Sequence, residues 1–452
     1  MSLSRIFDIA QRSLGVYQRA LDVTSHNIAN ASNPNYSRQR VNFNTEIPEI
    51  NAGLIWGTGV KLDTVQRVRN QLTESQILYN NPKFSYNEKQ SYLLGQIENV
   101  FSEPTTLGLS NLITGFFNSW SELSVNPNSV PLRNNVIYSA QKLASKVDTI
   151  KESFDIIRTD IVAEFKSSTT LINGYLEQIK NLNSRIFEAT GRGVSPNDFL
   201  DERDRLINEL SNLVNVNVSY DNNNVATISI GGVFAADGTD FVNFEIAEND
   251  GQIALRSANG GSIVALKSGE LNALKDIYSS KIPEYENKLN RIVDTIITEV
   301  NNIHKTGYSI DDQPQTGIDF FEVTDSGKMI INSKILNDPN KIAVSINGTN
   351  GNGDLALRLA EISNKKVIDN LTISETYSTL ISGIANHKQT ADNMAATDKL
   401  VIDQLELQKA SYSGVSIDEE MANVIKFQRS YEASAKLIKV ADEMLQTILG
   451  MV

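Results

Sequence analysis

The 452-residue chain is 40% apolar and carries a net charge of −13. That length exceeds one simple core and implies roughly two or three domains, and the acidic balance argues against a polyanion-binding surface. No cysteine occurs, which excludes disulfides, thiolate metal sites and cysteine nucleophiles together; no run of about eighteen apolar residues is present to span a membrane.

In chain order, Leu3, Phe7, Ala10, Leu14, Tyr17, Leu21, Thr24, Ile28 and Ala31 recur at alternating steps of four and three. This is the seam of a coiled coil with no partner nearby in sequence. The start has no uninterrupted apolar stretch followed by a small-residue cleavage site, so a cleaved secretory signal is not expected. The helix should stop near Asn30, because Asn33-Pro34-Asn35-Tyr36 is a turn in which proline fixes φ and Asn35 tolerates φ > 0. Over 37–65 the heptad lapses, Val41 and Phe43 alternate with polar residues, and Gly53, Gly57 and Gly59 punctuate an extended stretch. Helix is expected again from near Val65 to Phe101, and over 107–124. After Asn126-Pro127 and Pro131, apolar positions from Leu132 to Ile186 predict one helix of about 60 residues, a rod of roughly 90 Å.

A further helix starts near Pro196 and Asp198. From Val214 to Lys267 the apolar residues alternate at period two between Asn- and Gly-rich turns, the pattern of a small antiparallel β module. Helix returns over 269–304, a β-prone stretch covers 308–348, and helices follow at 354–363 and 374–411. The last helix repeats the opening pattern with Ile417, Met421, Val424, Gln428, Tyr431, Ala435, Ile438, Asp442, Leu445, Leu449 and Val452. Gln428 and Asp442 are polar positions of the kind that fix register in a seam. Ordering about thirty residues of helix costs about as much as burying nine seam side chains returns, so one terminal helix pairing with one other is marginal. Ordering of the two ends is expected to come from several copies packing together.

The fold class expected is mainly α with a small inserted antiparallel β module and nested, discontinuous domains. Residues 1–65 and 412–452 form a terminal coiled-coil assembly domain, 66–212 and 269–411 a helical body, and 213–268 the β module.

Little of the chain reads as chemistry. His26, His304 and His387 lack metal-ligand spacing and read as polar or capping residues of helices. Asp201-Glu202-Arg203-Asp204-Arg205 reads as solvated ion pairs on a helix. Gly351-Asn-Gly353-Asp-Leu-Ala356 fits a phosphate loop between a strand at 342–346 and a helix, with Asp369 near the ribose position. Against it, Asp354 sets a negative charge where the pyrophosphate belongs, and no second buried strand follows, so a turn into a helix N-cap is the better reading. A nucleotide-binding enzyme using this loop is therefore the remote alternative. A membrane-surface protein fits the amphipathic ends, but residues 416–452 carry more acids than bases.

The segment from Ala20 to Val41 resembles the N-terminal signature of bacterial flagellar axial proteins, in which a heptad helix ends in an Asn-x-x-Thr-Pro-Gly-Tyr-type turn. Asn33-Pro34-Asn35 replaces Thr-Pro-Gly. Residues 414–436 resemble the matching C-terminal end. Asp201-Glu-Arg-Asp-Arg-Leu-Ile-Asn-Glu-Leu210, Ser268-Gly-Glu-Leu-Asn-Ala-Leu274, Pro283-Glu-Tyr-Glu-Asn-Lys-Leu-Asn290 and Glu299-Val-Asn-Asn-Ile-His304 are similar to the hook-associated protein 1 family. The resemblance implies a non-enzymatic structural subunit without cofactor or metal, secreted by type III export and forming a ring at the hook–filament junction. It implies as partners further copies, hook protein, a second junction protein and an export chaperone on the C-terminal helix, with no nucleic acid and no membrane insertion. A distal rod or hook protein is the nearest alternative. The chain is short for the family, which reduces the outer domains to one β module.

Overall fold

The computed structural model describes residues 3–51, 53–101, 108–249, 251–310 and 316–450. Helix α1 (Leu3–Ala29) leads into a long hairpin of four strand segments, β1 (Gln39–Thr45), β2 (Glu49–Asn51), β3 (Leu54–Trp56) and β4 (Val60–Arg67). Strands β1 and β4 pair antiparallel from Gln39↔Arg67 to Thr45↔Val60, and β2 pairs with β3 at the tip. Helix does not resume near Val65 as expected, because those residues pair with β1. Helix α2 (Gln71–Phe101) begins only after Asn70, whose side-chain oxygen accepts from the Leu72 amide at 3.1 Å as an N-cap.

Helices α3 (Leu109–Val125), α4 (Val130–Gly191) and α5 (Asn197–Leu213) follow. The α4 span is 62 residues, and Val136, Leu143, Ile150, Phe154, Ile161, Phe165, Ile172, Ile179 and Ile186 are buried along its whole length. The apolar run is unbroken by glycine or proline after the first turn until Gly174, so the pattern dictates one continuous helix.

Strands β5 (Val216–Tyr220), β6 (Ala226–Ile230) and β7 (Val233–Ala236) form an antiparallel meander, and β8 (Phe244–Asn249) pairs with β9 (Gln252–Ser257). Ala226, Ile228 and Ile230 alternate inward and are fully buried. Gly269, at φ +87°, ends the excursion: its amide donates to Pro82 O at 2.7 Å, and a Cβ there would lie 2.6 Å from Leu213 O. Helix α6 (Glu270–Asp276) passes through one π-turn at Ile277–Lys281 into α7 (Ile282–His304). The β-prone stretch resolves into a short hairpin, β10 (Phe321–Val323) with β11 (Met329–Ile331), and then α8 (Ser333–Asn337). Helices α9 (Asp354–Glu361), α10 (Ile373–Ser413) and α11 (Ile417–Leu449) complete the chain. Helix α10 runs antiparallel to α2, tied by Asn87 to Asp398 at 2.7 Å and by Ser91 to Asp392.

One large apolar cluster joins α2–α10 with the β module; Ala20, Val41 and Phe427 form a second, small one. In the large cluster Trp120 and Phe320 pack against His304, and Phe116 packs against Phe320 and Phe321. His304 is not a cap but a buried link: Nδ1–H donates to Ile318 O at 2.7 Å, and Nε2 accepts from the Ala343 amide at 2.9 Å. Burial lowers its pKa to about 4. Arg133, also fully buried, donates to Pro127 O at 2.9 Å and Ile342 O at 2.7 Å, and burial lowers it to about 10.

Candidate assembly interface

Helices α1 and α11 lie side by side and antiparallel: Asn27 meets Glu420 at one end, and Tyr17 and Ala20 meet Phe427 further along. Small side chains set the spacing, since Ala10, Ala20, Ser434 and Ala441 are all buried and allow close approach of the two backbones. Phe427 is the large side chain that α11 buries in the contact. Its ring lies 6.5 Å from that of Tyr17 and 5.8 Å from that of Phe43 on β1, so it joins both helices to the hairpin.

The inward residues of α11 are Glu420, Phe427, Ser434 and Ala441, a strict seven-residue repeat. The seam read from the sequence is displaced from this one. Val424 and Ile438 are half-buried beside it, whereas Ile417, Met421, Gln428, Tyr431, Ala435, Asp442, Leu445 and Leu449 are exposed. In α1, Ala10 and Thr24 are buried, Leu14, Tyr17, Leu21 and Ile28 half-buried, and Phe7 is exposed; Ala31, in the turn just beyond the helix, is half-buried. The Leu3 side chain and Val452 lie outside the described residues. The physical reason for the displacement is that α11 carries apolar residues on more than one face. Periodicity alone does not choose which face turns inward, and small or polar residues took the closest contact.

Register between the helices is fixed not by Gln428 or Asp442 but by a polar lock. Glu420, 2% exposed, accepts from Arg38 Nε at 2.8 Å and from Asn27 Nδ2 at 3.1 Å, while Arg38 Nη1 reaches Glu419 at 2.7 Å. Asn27 also holds both backbone groups of Gln39, donating to its carbonyl at 2.8 Å and accepting from its amide at 2.9 Å. The side chain thus acts as one more strand partner for β1. Such a buried set satisfies every polar group it contains and is costly to break.

The turn forms where the sequence places it, by a different route. The Tyr36 amide donates to Asn33 O at 3.2 Å, and the Asn35 amide donates to Asn33 Oδ1 at 3.0 Å. Asn35 is not among the residues with positive φ; Pro34 followed by an ordinary right-handed residue suffices, with Asn33 closing an Asx-turn. Tyr36 folds back on α1, donating to Asn27 Oδ1 at 2.7 Å and packing edge-on against His26. Burial raises the phenol pKa, and Asp198, Asp201 and Glu420 raise it further.

The Asp201–Arg205 segment departs most from expectation. Only Glu202 and Arg205 form the surface pair. Asp201 and Arg203 are buried, and the carboxylates of 201 and 204 receive the hairpin base: Arg67 reaches Asp201 at 2.7 Å and Asp204 at 2.9 Å, Arg69 bridges Asp204 and Glu74, and the Ser37 amide donates to Asp201 at 3.0 Å. Burial would raise Asp204, but Arg69, Arg67 and Arg203 together hold it below the usual carboxylate range. Asn197 adds bonds to Gln39 Oε1 at 3.1 Å and Val65 O at 3.0 Å. Sequence reasoning missed this joint because its partners are more than 130 residues apart.

The Gly351 loop is occupied by the protein itself. A Cβ at Gly353 would stand 2.1 Å from Ser124 O, Asp354 is bound by Asn352, and Asp369 pairs with Arg291 at 2.6 Å. Residues 342–346 carry only an isolated bridge, Tyr308↔Ser345, and no βαβ unit is built around the loop. Among the described residues no helix is long and apolar enough to cross a membrane.

Paired terminal helices, an Asn-Pro turn leading from the first of them into a hairpin, and a long-helix body are the parts of a flagellar axial protein. Residues 408–451 match the family described as flagellar basal body rod FlgEFG protein C-terminal. Residues 94–321, half of the chain, match flagellar hook-associated protein FlgK helical domain. The chain belongs to this flagellar hook-associated protein FlgK family. Curated relatives named flagellar hook-associated protein 1 span it almost entirely. The one from Bacillus subtilis is 26% identical over 98% of this chain and 97% of its own length; that from Salmonella typhimurium is 23% identical over 99% and 100%. The flagellar hook junction protein FlgK from Burkholderia pseudomallei superimposes with a TM-score of 0.64 at 14% identity, covering 75% of this chain and 100% of that one, and so shares the fold.

Proposed function

We propose that this chain works by joining copies of itself through the paired terminal helices, at the distal end of the hook, where they build the hook–filament junction. It is a structural component of the flagellum. The observation that carries the mode of assembly is the surface of α11: Ile417, Met421, Leu445 and Leu449 are 42–73% exposed in the single chain. A helix apolar on several faces is stable when it is covered on several faces, and neighbouring copies supply the cover. Residues 1–65 with 412–452 act as the assembly unit, 66–212 with 269–411 as the body, and 213–268 as the outer module. Hook protein and a second junction protein are the axial neighbours, and a chaperone covers the C-terminal helix before type III export carries the subunit out of the cell.

Hooks purified from cells lacking the protein should end bare while filament subunit accumulates in the medium. Deletion of residues 417–452 should leave the body folded and abolish assembly. Motility retained after that deletion would overturn the proposal.

A further inference from the structure

Residues 347–353 read Asn-Gly-Thr-Asn-Gly-Asn-Gly, three Asn-Gly steps in close succession, and two more stand at Asn173-Gly174 and Asn259-Gly260. Asparagine is chemically labile, and most so before glycine, where no side chain shields the next backbone nitrogen. That nitrogen gives up its proton and attacks the Asn Cγ; the side-chain nitrogen takes a proton and leaves as ammonia, and a succinimide ring remains. Water then opens the ring, giving aspartate when one C–N bond breaks and isoaspartate when the other does. The step needs a free Asn amide, room at the glycine and a backbone able to turn.

The five steps fall into two sets. Asn173 lies inside α4, and its side chain exchanges two bonds with the Phe244 backbone, both at 2.8 Å. Asn347 Oδ1 accepts from Ser345 Oγ at 3.0 Å and from the Thr349 amide at 3.1 Å, and a Cβ at Gly348 would lie 3.5 Å from the Tyr308 ring. Asn352 Oδ1 accepts from the Asp354 amide at 2.8 Å, its Nδ2 donates to the Asp354 carboxylate at 3.0 Å, and Gly353 is wedged against Ser124. Each of these side chains must break two hydrogen bonds before its Cγ can swing to the glycine. Asn350 and Asn259 are exposed, and their side chains bond nothing among the described residues. Asn350 stands second in a turn closed by the Asn352 amide on Thr349 O at 3.2 Å, with Gly351 at φ +79°; Asn259 and Gly260 form a turn at φ +62° and +72°. No heavy atom lies within 4 Å of a Cβ built on Gly351 or Gly260.

We propose that Asn350 and Asn259 are sites of spontaneous conversion to aspartate and isoaspartate in the folded chain, and that Asn173, Asn347 and Asn352 are protected from it. Each conversion replaces a neutral amide with a carboxylate and consumes only water, so the two positions record the age of a chain as added negative charge. The purified full chain is held in mildly alkaline buffer made with heavy-oxygen water, so that each succinimide opened there takes up the label, and is then digested with trypsin in ordinary water. Residues 342–358 come away as one peptide, and fragment masses rank 347, 350 and 352 within it. Label should appear at 350 and 259 and be at least about tenfold lower at 173, 347 and 352, as two bonds to break require. In urea all five should take up label at comparable rates. Ser345→Ala removes one of the two bonds on Asn347 and should raise its labelling about fivefold while 350 stays unchanged. Labelling of a protected position as fast as 350 in the folded chain, absence of label from either 350 or 259, the same ranking in urea, or unchanged labelling at 347 in the variant overturns the assignment.

Discussion

Phe427→Ala tests whether the terminal helices are held as a unit separate from the body. Truncating a buried phenylalanine costs about 3–5 kcal/mol. Here the neighbouring Phe43 is 41% exposed and the cluster is small, so water and side-chain movement partly fill the space and the low end, about 3 kcal/mol, is expected. At 1.4 kcal/mol per decade that raises the open population of the helix pair roughly a hundredfold. Amide hydrogen exchange of the purified chain should show peptides from α1 and α11 exchanging faster by about that factor, with α4 unchanged, and Phe427→Leu should recover most of the protection. Equal acceleration along α4 would refute the reasoning, because the two apolar clusters would then unfold as one. No acceleration in α1 would refute it differently, by showing that the polar lock alone holds the pair.

His304 should make the body acid-sensitive. Its neutral form is favoured in the folded state, so its contribution is complete above the unfolded pKa of about 6.5 and is lost as pH falls toward about 4. At about 1.4 kcal/mol per pH unit the loss is roughly 3 kcal/mol, and urea midpoints measured between pH 7 and 4 should fall in the unaltered chain more steeply than in His304→Gln. Asp204→Asn removes the shared anion of Arg67 and Arg69 and should destabilise the joint by about 3 kcal/mol, read as faster exchange in β1 and β4; an unchanged rate would mean Asp201 suffices. Gly269→Ala combines a left-handed φ with backbone crowding, and should cost more than about 2 kcal/mol in thermal unfolding; an unchanged melting temperature would show that the α5–α6 junction relaxes freely.

The parts legible in the sequence were those set by local pattern. The apolar run from Leu132 to Ile186 lies within α4, starting two residues after its first residue and ending five before its last. The alternation at 226–230 gave β6 in the same way. What escaped depended on partners distant in the chain. Arg67 and Arg69 convert Asp201 and Asp204 from surface charges into a buried joint, and no spacing within 201–205 announces it. His304 looked like a helix-end residue because its acceptor and donor, Ile318 and Ala343, come from later segments. The seam of α11 was misplaced by one residue because two stripes compete on the same helix and only α1 chooses between them.

The position of the Asp201/Asp204 joint has a mechanical consequence. Arg203, between those two aspartates, also reaches Asn183 near the end of α4 at 3.2 Å, and Arg133 at the far end of α4 grips the Pro339–Ile342 loop. Twisting the terminal helices therefore loads the hairpin base, then α5, then a helix roughly 90 Å long, through charge-assisted bonds at the inner end and buried carbonyl contacts at the outer end. In the assembly proposed above, torque entering through the terminal helices would be carried away from them along one continuous stiff member.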